Sequence, residues 1–374
     1  MTTRETEVFN LIKHDPMISQ EQIAATLGIT RSAVSVYVSS LIKQGYIKGR
    51  GYVVSEENDT VVIGVAAVDI VGSMLDYPGS SAVEHIFAQI GDISVSFGGA
   101  GRNIAEYMAR LGSSVKLVSA IAADMFGKQL MQDCEELHID SSASLHIAGG
   151  KQDMMVQLRD PRDHSRRCVL NYRTGELLTQ DFLKSQYAPL NASGRIIVTD
   201  ILTPDAAEYL LCTFPNKEIW CILSGVLERL DSYRDILSRF SHVYLNAKTA
   251  AHLLNYSNYE TTTQFARKLS QTGMRNIYVS CDNHQLLHIT QGGAVRYELP
   301  GGIISDSERG KDAFVAGLIN GSACCRSDIN ETIRCAAACS AVQIEIEQNS
   351  EVIFSPETVT ARMQAQPLAS EILL

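Results

Sequence analysis

Residues 97–105 read FGGAGRNIA, a glycine-rich stretch that runs directly into a helix-favouring segment. Glycine accepts main-chain angles that other residues avoid, and it lets a neighbouring backbone or a ligand approach closely. Such a cluster can also be no more than a tight turn between a strand and a helix. Upstream, an apolar run at 61–65 leads to Asp69, and far downstream Asp312 precedes Ala313 and Phe314. This order indicates a strand, a glycine turn and a helix within a larger α/β unit.

Apolar runs alternate with helical patterns along most of the chain, which is typical of a parallel sheet covered by helices on both faces. The runs lie at 61–65, 115–121, 196–199, 219–223, 243–245 and 277–280. The stretch 143–172 differs, because segments at 145–148, 154–159 and 168–172 surround a Gly149-Gly150 turn. We predict that these three segments form an antiparallel meander, a small β lid beside the α/β body.

Length and composition predict a folded protein of two or three domains. The 374 residues are 45% hydrophobic and 20% charged, which allows a large core. No apolar run approaches the roughly 18 residues of a membrane helix, and Met1 opens a polar, charged segment. We therefore expect a cytoplasmic protein without a membrane partner.

The cysteine pattern disfavours both a disulfide framework and a structural zinc site. Nine cysteines occur, an odd number, and no two of them form a CxxC pair. Cys335 and Cys339 share a helix face, but free cysteines usually serve as small buried apolar residues. We expect no metal bound by these thiols.

The first 54 residues carry a charge opposite to that of the remainder. They contain six Lys/Arg and four Asp/Glu, a net charge of +2, whereas the whole chain has −10, which leaves −12 for the rest. An acidic body repels a polyanion, so contact with nucleic acid is expected only through the N-terminal segment. We place the boundaries at 1–54 for this domain, 55–59 for a polar linker and 60–374 for the α/β domain.

Three short helices and a wing are predicted within residues 1–54. A capping box at Ser19 and Gln22 opens the second helix, Gly28 ends it, and Thr30 begins a third helix that runs to about Gln44. Two short strands are predicted around Gly49-Arg50-Gly51. This order of elements resembles the winged helix-turn-helix of bacterial regulators, which implies DNA as a partner.

The third helix has two different faces. Val34, Val38, Leu41 and Ile42 recur at helical spacing and are predicted to face the core. The opposite face is small and polar, with cations at its ends and at the wing. The predicted DNA-binding residues are Arg31, Ser32, Ser35, Ser39, Lys43 and Arg50. A protein-interaction module with an ordinary solvated face is the alternative.

Over residues 60–360 the chain resembles the PfkB, or ribokinase-like, carbohydrate kinase family. The resemblance is carried by residues 64–69, by the glycine stretch, by Asp124-Met125-Phe126-Gly127 and by residues 306–317. It implies a ribokinase-like three-layer α/β/α sandwich with a small β lid. Within the family, pseudouridine kinases and relatives fused to a helix-turn-helix are most similar. Asp124 either lies near the substrate or caps the following helix.

The resemblance implies transfer of the γ-phosphoryl group of ATP, with Mg²⁺, to a sugar hydroxyl. Asp312 then matches the catalytic base. A sugar pocket needs hydrogen-bonding groups fixed at a strand end and a helix start, together with glycines that admit the ring. The predicted substrate-binding residues are Asp69, Gly98, Gly99 and Asn103. A strand-terminal helix cap is the alternative role for Asp69.

The nucleotide side departs from the family pattern in three places. Arg309-Gly310-Lys311 replaces the Gly-Ala-Gly that precedes the base, and Asn246 is followed by Thr249 where the family has a glutamate. Residues 281–284 replace a glycine-bearing turn. One interpretation is that Arg309, Lys311 and Lys248 bind phosphate through their charges. The alternative for the two lysines is an ordinary solvated surface position.

Two functions follow from this mixture of features. One is a sugar or nucleoside kinase with a DNA-binding head, in which Asn246 lies on the nucleotide and Mg²⁺ side. The other is a transcriptional regulator whose kinase-like domain senses a ligand. Winged-helix heads usually read two half-sites, so a homodimer is expected in either case.

Overall fold

The computed structural model describes residues 1–16, 18–48, 59–74, 91–160, 166–199, 202–223, 230–255, 261–281, 284–299, 308–325, 328–365 and 367–374. The helices are α1 (Thr3–His14), α2 (Gln20–Leu27), α3 (Arg31–Lys43), α4 (Ala100–Arg110), α5 (Met125–Glu136), α6 (Gln180–Ser185), α7 (Tyr187–Ala192), α8 (Pro204–Thr213), α9 (Leu230–Tyr233), α10 (Ala247–Leu253), α11 (Thr262–Ser270), α12 (Glu308–Cys324), α13 (Ile329–Gln348) and α14 (Pro356–Ala365). The strands are β1 (Thr60–Ile63), β2 (Ala67–Met74), β3 (Gly91–Gly98), β4 (Val115–Val118), β5 (Ala120–Ala122), β6 (Leu145–Ile147), β7 (Met154–Arg159), β8 (Arg166–Asn171), β9 (Arg195–Thr199), β10 (Glu218–Leu223), β11 (His242–Asn246), β12 (Asn276–Cys281), β13 (Gln285–Thr290), β14 (Gly293–Glu298) and β15 (Ala369–Ile372).

A nine-stranded sheet organises the described part of the α/β domain. Its order is β15-β14-β13-β12-β11-β10-β9-β1-β4, parallel from β4 to β12 and antiparallel beyond. Alternate side chains of β1 enter different cores: Val61 belongs to the core that includes Leu210 of α8, whereas Val62 belongs to the core that includes Ile104 of α4 and Phe314 of α12. Both faces are therefore covered, and the predicted three-layer α/β/α architecture is confirmed.

Two apolar runs each divide between sheets, which corrects their prediction as single strands. The run that begins at Val61 leaves the large sheet after Ile63, and the chain enters β2 at Ala67, so Asp69 lies inside a second sheet. The run at 115–121 likewise splits into β4 and β5. Residues 61–68 and 115–122 are buried on both sides of each break, so hydrophobicity alone does not show where the strands divide.

The second sheet has the order β3-β2-β7-β8. Strands β7 and β8 form the predicted antiparallel hairpin, but β6 pairs in parallel with β5 instead. The predicted three-stranded meander is therefore wrong at its first strand, and β2 and β3 complete the sheet. We call this four-stranded sheet the lid sheet; its role as a lid stays a prediction.

The N-terminal helices pack around one small core, as predicted. Their buried apolar residues include Val8, Ile12, Ile23, Val34, Val38 and Leu41. The capping box at Ser19 and Gln22 is present, and Gly28 ends α2 in the left-handed conformation. Ile42 was predicted to be buried but is 47% exposed, because it lies 100° around the helix from Leu41 and so leaves the narrow core. The wing was predicted as two strands, 46–48 and 52–54, around 49–51. Residues 49–54 lie outside the described residues, and within 46–48 only Ile47 is in a β-bridge.

All nine cysteines lie within the described residues. All nine are free thiols, and Cys335 and Cys339 are buried in α13. No single described helix has the length and hydropathy to cross a membrane; α2 and α3 pass such a test only as a pair bent by 111°.

Four rings stack across neighbouring strands of the large sheet. Trp220 lies 4.0 Å from His242, and Tyr278 lies 4.8 Å from His288, measured between ring centroids. Burial lowers the pKa of both histidines to about 4; the charge of Glu218 opposes this shift at His242. Both imidazoles are therefore neutral in the folded protein near pH 7.

The neutral stack predicts a pH dependence of stability. Between about pH 4 and pH 6.5 the unfolded chain binds protons that the folded chain does not, so the free energy of unfolding should rise with pH and then level off. His288→Gln should remove up to about 3 kcal/mol of this rise, at 1.36 kcal/mol per pKa unit. Urea unfolding followed by the fluorescence of Trp220 at pH 4 and pH 7.5 measures the difference. The exposed His146→Gln is the control, and an unchanged pH slope in His288→Gln contradicts the assignment.

Candidate functional site

Asn103 and Asp312, 209 residues apart in sequence, meet in the interior. The Asn103 Nδ2 donates to the Asp312 Oδ2 at 2.9 Å. Their exposed fractions are 4% and 5%. Asn103 lies in the first turns of α4, which follows the lid sheet, and Asp312 lies in the first turns of α12. The structure thus joins the predicted base to one of the predicted substrate-binding residues.

The glycines bring Asp69 to the same place. Gly99 has φ +89°, and a Cβ there would lie 2.6 Å from the carbonyl oxygen of Val65. A Cβ on Gly98 would overlap the carboxylate of Asp69. The side chain of Asp69 therefore lies against the backbone of Gly98, two residues before α4 begins at Ala100. This position does not correspond to a helix cap, because Asp69 lies within β2.

Further groups approach from the end of β8. Burial raises the pKa of the Tyr172 hydroxyl, and the nearby charges of Asp69, Cys168, Asp153 and Asp312 raise it further. The backbone of Arg173 donates to the Asp153 Oδ1 at 3.0 Å. A tyrosine after the last lid strand thus lies within electrostatic range of both predicted site carboxylates.

A buried ion cluster lies directly behind the site. Glu106 contacts Arg102, Arg110 (2.8 Å) and Arg309 (2.6 Å), and Arg102 also pairs with Asp133. Burial alone would raise the pKa of Glu106, but the charges of Arg102, Arg309 and Arg110 outweigh it and hold the pKa below its ordinary value. Glu106 is therefore ionised within the fold.

Comparisons with known proteins agree with this geometry. The family model for pfkB family carbohydrate kinases matches residues 59–352. The chain belongs to the pfkB family of carbohydrate kinases. A winged helix-turn-helix DNA-binding model matches residues 1–48, which adds that domain to the pfkB domain.

Among curated proteins, this pfkB-family chain is 25% identical over 358 residues to the uncharacterized sugar kinase YeiI of Escherichia coli, covering 91% of this chain and 93% of that one. It is 23% identical to the pseudouridine kinase of the same organism, covering 78% and 92%. Among solved structures, Arabidopsis thaliana ribokinase complexed with ribose and ATP matches with a TM-score of 0.65 at 15% identity, covering 83% and 99%. That likeness shows the ribokinase-like fold.

The remaining predicted residues of the pfkB domain take local structural positions. Asn246 caps α10, its Oδ1 accepting from the backbone of Thr249 at 2.7 Å, and Lys248 is exposed. Asp124 caps α5 by accepting from Gly127 and Gln152, which supports the capping role left open above. Residues 282–283 lie outside the described part of the chain. None of these contacts by itself creates a nucleotide pocket.

The residues beside Asp312 fit ATP phosphates better than they fit a metal. Gly310 lies in the first turn of α12, where the helix dipole favours a negatively charged group such as a phosphate. Lys311 is half-buried in the same turn. Within the described ranges no group of three or more His, Cys, Asp or Glu is arranged to hold a metal ion. Kinases often hold Mg²⁺ mainly through substrate phosphates and water.

The predicted DNA-binding residues that the structure describes lie on one exposed surface of α3. Arg31, Ser32, Ser35, Ser39 and Lys43 are all exposed. Arg31 forms an exposed ion pair of 2.9 Å with Glu21 of α2. Arg50 lies outside the described residues. The face is continuous, so its use in DNA binding stays a prediction that the geometry permits.

Sequence reasoning missed Glu106, Tyr107 and Tyr172. The first has a signal in the sequence, since Arg102, Glu106 and Arg110 are spaced by four residues and share one helix face. That pattern normally indicates a solvated ladder, whereas here Arg102 and Glu106 are buried. Tyr172 has no such signal, because only pairing of β8 with β7 brings it to the site.

Gly98→Ala is expected to act like a loss of Asp69. The new Cβ would displace the Asp69 carboxylate, so Gly98→Ala and Asp69→Ala should each weaken, by about 1–3 kcal/mol, the binding of any sugar or nucleoside that the wild type binds from a test panel. Gly149→Ala is the matched control, because nothing lies within 4 Å of a Cβ there. Titration calorimetry on variants with unchanged circular dichroism makes the measurement. Equal affinity in all three variants and the wild type would remove Asp69 from the site.

Proposed function

We propose that this chain is an ATP-dependent kinase of ribosyl compounds, with pseudouridine or a similar nucleoside as substrate. The observation that carries the proposal is the buried contact between Asn103 and Asp312 beside the carboxylate of Asp69. When bound, ATP with Mg²⁺ supplies the γ-phosphoryl group. Asp312 accepts the proton of the attacking sugar hydroxyl, while Asn103 holds the Oδ2 of that carboxylate in place.

The other predicted site residues bind the sugar and stabilise the phosphate groups. Asp69 accepts hydrogen bonds from sugar hydroxyls, and Gly98 and Gly99 let the sugar approach the backbone. The backbone N–H groups around Gly310 stabilise the phosphate charge, with Lys311 beside them. Asn246 lies at the carboxyl end of β11, on the nucleotide side in this scheme.

Two observations support a nucleoside over a free sugar. Tyr172 offers a ring and a hydroxyl beside the site carboxylates, and an aromatic ring suits a planar base. One relative is a pseudouridine kinase, at 23% identity.

Phosphoryl transfer tests the proposal directly. Purified full-length protein with ATP and Mg²⁺ should phosphorylate at least one member of a panel of pseudouridine, uridine, guanosine, inosine and ribose. Asp312→Asn should lower kcat about 10²–10⁴-fold, because the group that accepts the proton is lost. Asp181→Asn, in an exposed pair on α6, is the control. Phosphorylation of none of the panel contradicts the proposal.

A second function is favoured by the contact between the two domains. Asn191 of α7 donates to the carbonyl of Gln44 at 2.9 Å, and Gln44 caps the C-terminus of α3. Gly45, with φ +84°, lies so close to Ala188 that a Cβ would overlap its carbonyl. Lys48 pairs at 3.2 Å with the buried carboxylate of Asp59. Helix α3, which carries the predicted DNA-binding residues, is thus in contact with the pfkB domain.

This contact provides a route from ligand to DNA. Only residues 172–186 separate α7 from β8, the last strand of the lid sheet, and Tyr172 is the first of them. A ligand that moves Tyr172 would shift α7 and with it α3. We therefore propose ligand-responsive DNA binding, with or without phosphoryl transfer, and retain 1–54, 55–59 and 60–374 as the domain boundaries.

DNA binding should separate the two roles of the N-terminal domain. Lys43→Ala should weaken binding to a fragment from upstream of the chain's own coding sequence and lower the salt slope by about one. Asn191→Ala should leave DNA affinity within about threefold but abolish its change on adding pseudouridine or guanosine. Fluorescence anisotropy makes both measurements, with the exposed Asn216→Ala as control. A full ligand response in Asn191→Ala rules out the α7 route.

We also propose that the chain is a cytoplasmic homodimer. ATP and DNA are both present in the cytoplasm, and two DNA half-sites require two N-terminal domains. The lid sheet supports this, because one of its faces exposes apolar residues from three strands. They are Ile93, Val95, Val156, Leu158 and Val169.

A further inference from the structure

We propose that Arg309 is a positioning residue that fixes the start of α12 against α4 and thereby sets the place of the Asp312 carboxylate. The proposal rests on the kinase function above and deepens it. It also gives a role to a side chain that stands where the family has glycine.

Each nitrogen of the Arg309 guanidinium donates to a different group. Nε donates to the Tyr107 hydroxyl at 3.0 Å, Nη1 to the Phe97 carbonyl at 3.1 Å and Nη2 to the Glu106 Oε2 at 2.6 Å. The guanidinium also lies 5.6 Å from the centroid of the Tyr107 ring. One side chain of α12 is thereby joined to β3 and to α4. The planar guanidinium makes these three contacts at once, which the single ammonium group of a lysine could not do.

The charges around Arg309 strengthen its contacts with α4, but the folded state does not depend on Arg309 alone. Glu106 is almost fully buried, so an unpaired charge there would be costly. Its ionised state is also secured by Arg102 and Arg110. Removing Arg309 therefore leaves Glu106 compensated, and an Arg309 variant is expected to fold.

Both partners of the catalytic contact are linked to this cluster. Arg309 precedes Asp312 by three residues, so the two positions lie on the same side of α12. Arg102 Nη1 lies 3.4 Å from the Asn103 Oδ1, and Asn103 in turn donates to Asp312. The contact between Asn103 and Asp312 is thus held from both helices.

The physical gain is preorganisation. A glycine at 309 would leave the first turn of α12 free to sample more conformations. The anchored arginine keeps the N–H groups and the Asp312 carboxylate in one arrangement, which lowers the reorganisation needed in the transition state. Misplacement of a reacting group by about 1 Å costs on the order of 10²-fold in rate.

Steady-state kinetics with ATP, Mg²⁺ and the best nucleoside of the panel provides the main test. Arg309→Gln and Arg309→Gly should lower kcat about 10–100-fold while KM for the nucleoside changes less than about threefold. Arg309→Lys should recover part of kcat through its pair with Glu106. Tyr107→Phe, which keeps the ring, should give a smaller loss of kcat. Arg239→Gln, which breaks the distant pair with Glu208, is the control.

Two results would overturn the proposal: kcat of Arg309→Gln within twofold of the wild type, or a loss confined to KM, which would mean contact with substrate. Hydrogen exchange of residues 308–316 gives a readout that needs no turnover, and Arg309→Gln should speed it about tenfold. If the wild type phosphorylates no nucleoside, the proposed kinase function is wrong, and hydrogen exchange alone tests whether Arg309 fixes the start of α12. Unchanged exchange then overturns it as well.

Discussion

The site depends on one close approach between two pieces of backbone. A Cβ on Gly101 would lie 2.6 Å from the Cα of Gly64, and the backbone of Arg102 donates to the Val65 carbonyl at 3.1 Å. The first turn of α4 can rest on the end of β1 only because neither glycine has a side chain. That contact carries Asn103 to the carboxyl edge of the large sheet, where ligands of α/β proteins bind. The meeting with Asp312 follows from it.

The buried charges illustrate how a departure from a family pattern is accommodated. Arginine at 309 would be expected to obstruct a phosphate-binding turn. Instead its guanidinium is directed into contacts with Phe97, Glu106 and Tyr107, behind the turn. An unpaired charge in the interior is costly, and Glu106 is paired with Arg102 and Arg110, each four residues away on α4, as well as with Arg309. The altered loop is thus consistent with phosphoryl transfer.

The joint between the domains has a different character. Its contacts in the described residues include the Gln44 carbonyl, the Gly45 backbone and the ion pair of Lys48 with Asp59. Interfaces of this polar kind permit relative motion more readily than large apolar ones. Such polar contacts are compatible with the ligand-responsive DNA binding proposed above.

The sequence by itself determined the elements whose signals are local. Capping residues and helical periodicity located α1, α2 and α3, and the strands from β9 to β12 appeared as isolated apolar runs. The glycine stretch with Asp69, Asn103 and Asp312 indicated the family and the candidate site. Only the tertiary structure decided how the run after Val61 divides between two sheets, because burial on both sides hides the break. It also decided which charges meet behind Asp312, since Glu106 and Arg309 are distant in sequence and pair only when α4 and α12 pack together.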